Sequence, residues 1–316
     1  MAFIAATSSY LPEKVVDNCD LVQFPEKFRE LILKKAGIRS RRHVTTECTS
    51  DLGARAVERL LQKSGVAPES VEALICATSS PDRMQPATAT RIQELCGLRR
   101  AFAFDINSVC SGAVYALRLA SALVRDGLSN IIVVAPEAYS RILNPKDIST
   151  FPYFGDGAGA ALVTDNGRLE MRDFVLQSDG SGADVIQVRG GGTMLPAPQI
   201  QDKDDYYFSM VGRAVFEFAC SRGSEVVKAL AQRNRVAPDW VIPHQANVNI
   251  IKEIAARTKL DCNQFFVNVH RIANTAGASV LIALDELLDS HPHGKNFFLV
   301  VFGGGLSWGG AYLRAV

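Results

Sequence analysis

The chain has 316 residues, 47% of them hydrophobic, and its 34 Lys and Arg against 33 Asp and Glu leave a net charge of +1. That length supports one large domain or two medium ones with full cores, and the balanced charge gives no electrostatic case for nucleic acid. No apolar run reaches the roughly 18 residues that a membrane span needs.

The opening Met1-Ala-Phe-Ile-Ala-Ala-Thr lacks the basic segment and long apolar stretch of a signal peptide and reads as a first strand. Further on, 51–63 carries apolar residues at helical spacing, and the short apolar runs 73–77, 101–105 and 131–135 predict buried strands. A helix is expected over 112–125. Gly155-Asp-Gly-Ala-Gly leads into a strand-like run, 160–164, rather than into a helix, so it is not a dinucleotide loop. Strands alternating with helices imply parallel sheets covered by helices. Seven cysteines, odd in number and scattered, argue against a disulfide framework and for a reducing, cytoplasmic setting. Without Cys-x-x-Cys or His-x-x-x-His, no metal site is expected.

The chain echoes itself. The stretch from Phe102 to Ala113 returns as the stretch from Phe266 to Ala278, the run at Val71 as that at Pro238, and Asn130-Ile-Ile-Val-Val as Asn296-Phe-Phe-Leu-Val. Several segments sharing one spacing indicate a duplicated α/β unit, with halves at 1–165 and 166–316. Packed together, they would make a layered sandwich with further helices outside.

Three residues then stand out. Cys110 lies where a strand turns into a helix, beside Ser111, Gly112 and Ala113. The helix N-terminus favours a thiolate there, and the small neighbours admit a substrate backbone or thioester. His244 follows a short apolar strand and precedes a helical pattern, and Asn274 lies in a similar strand-to-helix loop. Parallel α/β sheets gather sites at the carboxyl ends of strands, so topology brings all three to one edge. His43 and His270 lack such placement, and His291 and His293 read as a solvated turn. The glycines 303–305 can turn bare N–H groups into a site as an oxyanion hole.

Asn107-Ser-Val-Cys110-Ser-Gly, Pro243-His244-Gln-Ala-Asn, Asn274-Thr-Ala-Gly-Ala-Ser and Phe302-Gly-Gly-Gly-Leu-Ser-Trp-Gly together resemble the β-ketoacyl-acyl-carrier-protein synthase III family of thiolase-like condensing enzymes. The resemblance runs along essentially the whole chain. It implies a five-layer αβαβα fold and a decarboxylative Claisen condensation that starts fatty-acid synthesis. Cys110 would carry the acyl group, His244 and Asn274 would hold the enolate of a malonyl thioester, and the N–H groups of Cys110 and Gly304 would form the oxyanion hole. No redox cofactor is implied; coenzyme A and acyl-carrier-protein thioesters are the substrates. The resemblance further implies a homodimer joined near 101–105, with the loop at Met84 and Gln85 reaching the neighbour's pocket. No second cysteine follows Cys262, unlike a degradative thiolase.

Some positions depart from the family pattern. Leu31, Lys35 and Ile148 stand where an adenine-clamping aromatic and two arginines are expected, and Glu217 and Asn249 replace basic residues on the carrier-docking face, where Lys252 and Arg257 remain. Around the acyl pocket, with Phe154 and Phe302, the loop supplies Met84 and Gln85 in place of an apolar wall. A buried polar group needs a partner, which suggests a polar or dicarboxylic acyl donor with Arg83 or Arg141 as counter-charge. The alternatives are thus a specialised relative making a biotin precursor, quinolone or polyketide starter, an acyl transferase, or a non-catalytic partner subunit. The last would be expected to lack Cys110.

Overall fold

The computed structural model describes residues 1–290 and 294–316; the turn expected at His291 and His293 lies outside them. The first half runs β1 (Phe3–Tyr10), β2 (Val15–Asp17), α1 (Glu26–Ala36), β3 (Ser40–Arg42), α2 (Thr49–Ser64), β4 (Ala73–Ala77), α3 (Thr88–Leu95), β5 (Phe102–Ile106), α4 (Gly112–Arg125), β6 (Ile131–Glu137) and β7 (Gly157–Thr164). The rest runs β8 (Leu169–Ser178), β9 (Ile186–Val188), β10 (Phe208–Met210), α5 (Gly212–Asn234), β11 (Trp240–Pro243), α6 (Val248–Thr258), α7 (Val269–Ile272), α8 (Ser279–Ser290), β12 (Asn296–Gly303) and β13 (Ser307–Ala315). No helix of the described residues is long and apolar enough to cross a membrane.

Nine strands pair in the order β11-β12-β13-β8-β1-β7-β6-β4-β5. The join at the middle is thin, with only Phe3 opposite Glu170 and Ile4 opposite Leu169 linking β1 to β8. On each side of it the same connectivity recurs, except that the counterpart of β5 is reduced to a bridge between Val241 and Phe265. The sheet is mixed rather than parallel, which corrects the sequence expectation. Pairs β4–β5, β4–β6 and β11–β12 are parallel, while β1, β7, β8 and β13 pair antiparallel. Only residues 304–306 connect β12 to β13, too few for a crossover, so that connection is a hairpin.

Strand alternation sorts side chains into layers. Ile75, Val133, Leu299 and Val301 face a central layer made by α4 and α8, in which Leu117 and Leu284 are fully buried. Their strand neighbours Leu74, Cys76 and Val134 face outward to α2 and α3. On the other side Phe298, Val300 and Phe302 face α5 and α6. Helix, sheet, helix, sheet and helix therefore stack in five layers. Each fully buried Leu or Ile contributes about 1.5–3 kcal/mol, so the central helices are held from both sides. Their N-termini emerge at the same edge, where the chain leaves β5 and passes Asn274.

Candidate active site

Cys110 sits in a single 3-10 turn, Val109–Ser111, that runs straight into α4. The turn holds Val109 at φ 46, a left-handed conformation that a β-branched residue keeps only under constraint from its surroundings. Asn107 Oδ1 accepts the Val109 N–H at 3.1 Å, and Ser111 Oγ donates to the Ser307 carbonyl at 3.0 Å, which ties the turn to β13. The second half repeats the device before α8. Ala276 has φ 44, and Asn274 Oδ1 accepts its N–H at 2.8 Å. The two turns touch: a Cβ added to Gly277 would lie 3.1 Å from the Val109 carbonyl oxygen. One added to Gly303, at the end of β12, would lie 2.8 Å from the Cys110 nitrogen. Only glycine allows backbone to approach the nucleophile turn this closely.

His244 ends the β11 register, its N–H donating to the Val300 carbonyl at 2.7 Å. Its neighbour Gln245 is fully buried and explains the motif. The amide nitrogen donates to the carbonyls of Pro243 and Phe266, and the amide oxygen accepts from the Asn268 N–H. This side chain locks the end of β11 to the segment leading to Asn274. His244 Nδ1 lies 2.6 Å from Ser279 Oγ, the first residue of α8, and the ring stands edge-on to Phe302 with centroids 5.3 Å apart. Asn274 is held through its backbone: its N–H donates to the Tyr153 carbonyl at 3.0 Å and its carbonyl accepts from the Gly155 N–H at 2.9 Å.

These elements enclose a small cavity of about 40 Å³ lined by Cys110, His244 and Asn274 together with Phe154, Phe302 and Gly303. Ile186, Phe208 and Met210 close it from the β9–β10 hairpin, and Val215 and Phe218 from α5. Phe154, Met210, Val215, Ala246 and Asn274 also line a second cavity of about 300 Å³ whose rim includes Lys35, Ser149, Phe216 and Asn247. The two cavities adjoin across these five shared residues. A larger groove of about 760 Å³ beside α1, lined by Asp17, Arg29 and Lys34, includes none of the three site residues.

Burial sets the electrostatics. It pushes the Cys110 thiol well up, and the Glu137 carboxylate adds to this, outweighing the N–H bond that favours the thiolate. The sequence expectation of a thiol lowered by its helix N-terminus is thereby corrected: desolvation in the enclosed cavity wins. Burial also drives His244 down to about 3, so the imidazole is neutral at neutral pH. Glu137 is raised to about 7, again by burial, against an array of donors. It accepts from the hydroxyls of Thr78, Ser79 and Ser80 and the N–H groups of Ser79, Ser80 and Gly277.

The remaining residues singled out in the sequence are placed differently. Arg83, Met84 and Gln85 are exposed and do not line the Cys110 cavity. The Arg141 guanidinium donates to the carbonyl of Thr45 at 2.7 Å, holding a loop rather than facing the cavity. With apolar side chains around the cysteine, a charged acyl group would lose its hydration without gaining a partner there. Gly304 packs over Val109 and Ile186, whereas Gly303 lines the cavity. Lys252 is exposed on α6, and Arg257 is paired with Glu253 at 2.7 Å. Leu31 and Ile148 are exposed, Asn249 Nδ2 donates to the Lys35 carbonyl, and Glu217 pairs with Arg213. His43, passed over in the sequence, is buried edge-on against Phe151.

Sequence reasoning missed Ser279, Glu137, Tyr139, Phe208 and Met210. Ser279 was within reach, since it closes the Asn274 motif at the start of a helix. Phe208 and Met210 belong to the three-residue strand β10, which carries no local signal.

Comparison with known proteins matches the chain to the model described as 3-Oxoacyl-[acyl-carrier-protein (ACP)] synthase III over residues 104–180, and to its C-terminal counterpart over 231–315. The thiolase N-terminal domain model matches 36–140. A β-ketoacyl-[acyl-carrier-protein] synthase III from Chlamydia caviae is 39% identical, covering 100% of this chain and 97% of the relative. Among solved structures, the synthase III from Thermus thermophilus is 36% identical with a TM-score of 0.90, covering 99% of each chain. That from Aquifex aeolicus is 30% identical with a TM-score of 0.90, covering 99% of this chain and 100% of its own.

Proposed function

Because the chain belongs to the 3-oxoacyl-[acyl-carrier-protein] synthase III family, we propose that it catalyses the decarboxylative condensation of an acyl thioester with malonyl-acyl-carrier protein, the step that starts a fatty acid. The observation that carries this reading is the shared cavity of Cys110, His244 and Asn274, and the adjoining cavity would serve as its channel to the surface.

Cys110 Sγ attacks the carbonyl carbon of the incoming thioester. The old C–S bond breaks, and the thiol proton of Cys110 leaves with the departing thiol. The N–H groups of Cys110 and Gly304 receive the transient oxyanion in this reading. A malonyl thioester follows through the channel. Its C–CO₂ bond breaks, carbon dioxide leaves, and the electron pair spreads onto the thioester oxygen as an enolate. A neutral imidazole N–H and an amide N–H receive that oxygen without needing a metal. Asn274 Oδ1 is already occupied by the Ala276 N–H, which leaves Nδ2 as the end available to a ligand. The enolate carbon then attacks the acyl-Cys110 carbonyl, the acyl C–S bond breaks, and the departing Cys110 thiolate takes up a proton from water.

The substrates are thioesters of coenzyme A and acyl carrier protein, and no bound cofactor takes part in these steps. Exposed Lys252, on the helix whose Asn247 cap and Ile250 line the channel mouth, supports carrier docking. Arg257 contributes less, its charge being shared with Glu253. A homodimer joined through β5 is supported by that strand's place at the end of the sheet and by Phe102, 49% exposed and stacked on Phe104 at 6.3 Å. The loop at Arg83, Met84 and Gln85 would then meet the partner. A cytoplasmic setting rests on seven free cysteines.

The test is intact-protein mass spectrometry after mixing with acetyl-coenzyme A. An acetyl adduct on the native chain, absent in Cys110→Ala, together with carbon dioxide release from malonyl-acyl-carrier protein, supports the reading. A Cys110→Ala protein that still builds β-ketoacyl product at the native rate overturns it.

A further inference from the structure

Glu137 is fully buried at the end of β6, beside the enolate residues, and does no chemistry of its own. Most of its bonds run to the loop after β4. Oε1 accepts from the Ser79 hydroxyl at 3.0 Å, and Oε2 accepts from the hydroxyls of Ser80 at 2.5 Å and Thr78 at 3.2 Å. One bond crosses to the other half of the chain, where Oε1 accepts from the Gly277 N–H at 3.3 Å. The approach is close: a Cβ on Gly277 would lie 2.9 Å from Oε1.

Gly277 belongs to the 3-10 turn Ala276–Ala278, between Asn274 and Ser279. The first N–H groups of a helical segment have no acceptor within it. Here Asn274 Oδ1 takes the Ala276 N–H at 2.8 Å, and Glu137 takes the next, from Gly277. The carboxylate therefore stands at the start of α8, an end that favours an anion. A side-chain oxygen in the place of Asn274 Oδ1 can serve the N–H two or three residues on. Without Glu137 the Gly277 N–H would be buried and unpaired, and Asn274 Oδ1 is the acceptor nearest along the chain. A shift of Oδ1 toward Gly277 would turn the amide and carry Nδ2 off its line.

We propose that Glu137 is a positioning residue for the condensation: by holding the Gly277 N–H it keeps the Asn274 amide turned so that Nδ2 meets the malonyl enolate. This rests on the reading of Asn274 as an enolate donor and adds the group that fixes its orientation. Glu137 does not line the Cys110 cavity and touches neither thioester. It acts only through the turn.

The experiment uses the full chain and times the two steps apart. Intact mass follows Cys110 acetylation by acetyl-coenzyme A, and trapped carbon dioxide follows decarboxylation of malonyl-acyl-carrier protein. Glu137→Met keeps the length of the side chain but offers Gly277 no oxygen. It should slow carbon dioxide release by about tenfold or more, the scale of a misplaced group. Acetylation should be no slower, since the Glu137 charge disfavours the thiolate. Glu137→Gln keeps an acceptor oxygen without the charge and should lose only about threefold in carbon dioxide release. In an Asn274→Ala background neither substitution should have a further effect, because the group being positioned is gone. Thermal melting identifies any variant that fails to fold. If Glu137→Met does so, the loss in Glu137→Gln and its disappearance beside Asn274→Ala decide. Equal losses in both steps, unchanged carbon dioxide release in a folded variant, or the same loss with and without Asn274 overturns the proposal and leaves the functional reading intact. A native protein that releases no carbon dioxide, or an Asn274→Ala protein that releases it at the native rate, overturns the functional reading and this proposal with it.

Discussion

His244 Nδ1 and Ser279 Oγ meet at 2.6 Å in a fully buried contact, and Ser279 Oγ also receives the Gln245 N–H at 3.3 Å. A hydroxyl that accepts from a backbone N–H has its own proton free to give, and the ring nitrogen is the group in line. Donation from Ser279 leaves the imidazole proton on Nε2, where it can serve a developing enolate oxygen. The depressed pKa of His244, about 3, keeps that single proton in place throughout the neutral range.

Ser279→Ala should therefore separate the two halves of the reaction. Carbon dioxide release from malonyl-acyl-carrier protein should fall by about tenfold or more, on the scale of a weakened enolate donor, while Cys110 acetylation stays within about twofold. Radiolabelled carbon dioxide capture and intact mass measure the two steps. An equal loss in both would mean that Ser279 only supports the fold.

Glu137 gives a pH signature. Its folded pKa of about 7 lies above the ordinary value of 4.5, so the folded protein holds the proton more tightly than the unfolded chain. The resulting stability is full below about pH 4.5 and is lost as pH rises through about 7. The native protein should therefore lose stability relative to Glu137→Gln by on the order of 3 kcal/mol across that window. Denaturant melts at several pH values measure this. The buried histidines titrate in both proteins and cancel in the difference. Removing the carboxylate should also lower the Cys110 pKa, which speeds iodoacetamide labelling at a given pH.

Gly303→Ala should damage the site without replacing a side chain that does chemistry. The new Cβ would sit 2.8 Å from the Cys110 nitrogen and 3.1 Å from its Cβ, against backbone that cannot swing away. A loss of about 1–3 kcal/mol in stability is expected, with acylation slowed because the Cys110 turn must shift. Differential scanning calorimetry and the mass assay together report both.

Phe102→Lys tests the free edge of β5. A cation there should convert a dimer to monomer in sedimentation velocity, since a charged edge strand resists pairing. A native protein that already sediments as a monomer would remove this edge as an interface.

The strands and helices expected in the first half were legible as elements, with ends within about three residues, because short apolar runs and helical spacing are local properties. The prediction over 73–77 coincides with β4 and that over 112–125 with α4. Parallel pairing throughout was not legible, since alternation of elements says nothing of which strands become neighbours. β1, β7, β8 and β13 turned out antiparallel. The convergence of Cys110, His244 and Asn274 on one edge followed from the rule that α/β sites gather at strand ends, and one cavity holds them.

The amino-acid order by itself determined the repeat, the layered α/β architecture and which cysteine, histidine and asparagine to watch, because periodicity and loop chemistry are written along the chain. Only the folded arrangement decided the state of the thiol, the partner of His244 and the size of the cavity at Cys110. Each of those depends on desolvation and on contacts between segments far apart in sequence, such as Tyr139 with Phe208 or His244 with Ser279. Burial raises a thiol and closes a pocket only after both halves have packed, and no local pattern encodes the distance at which they meet.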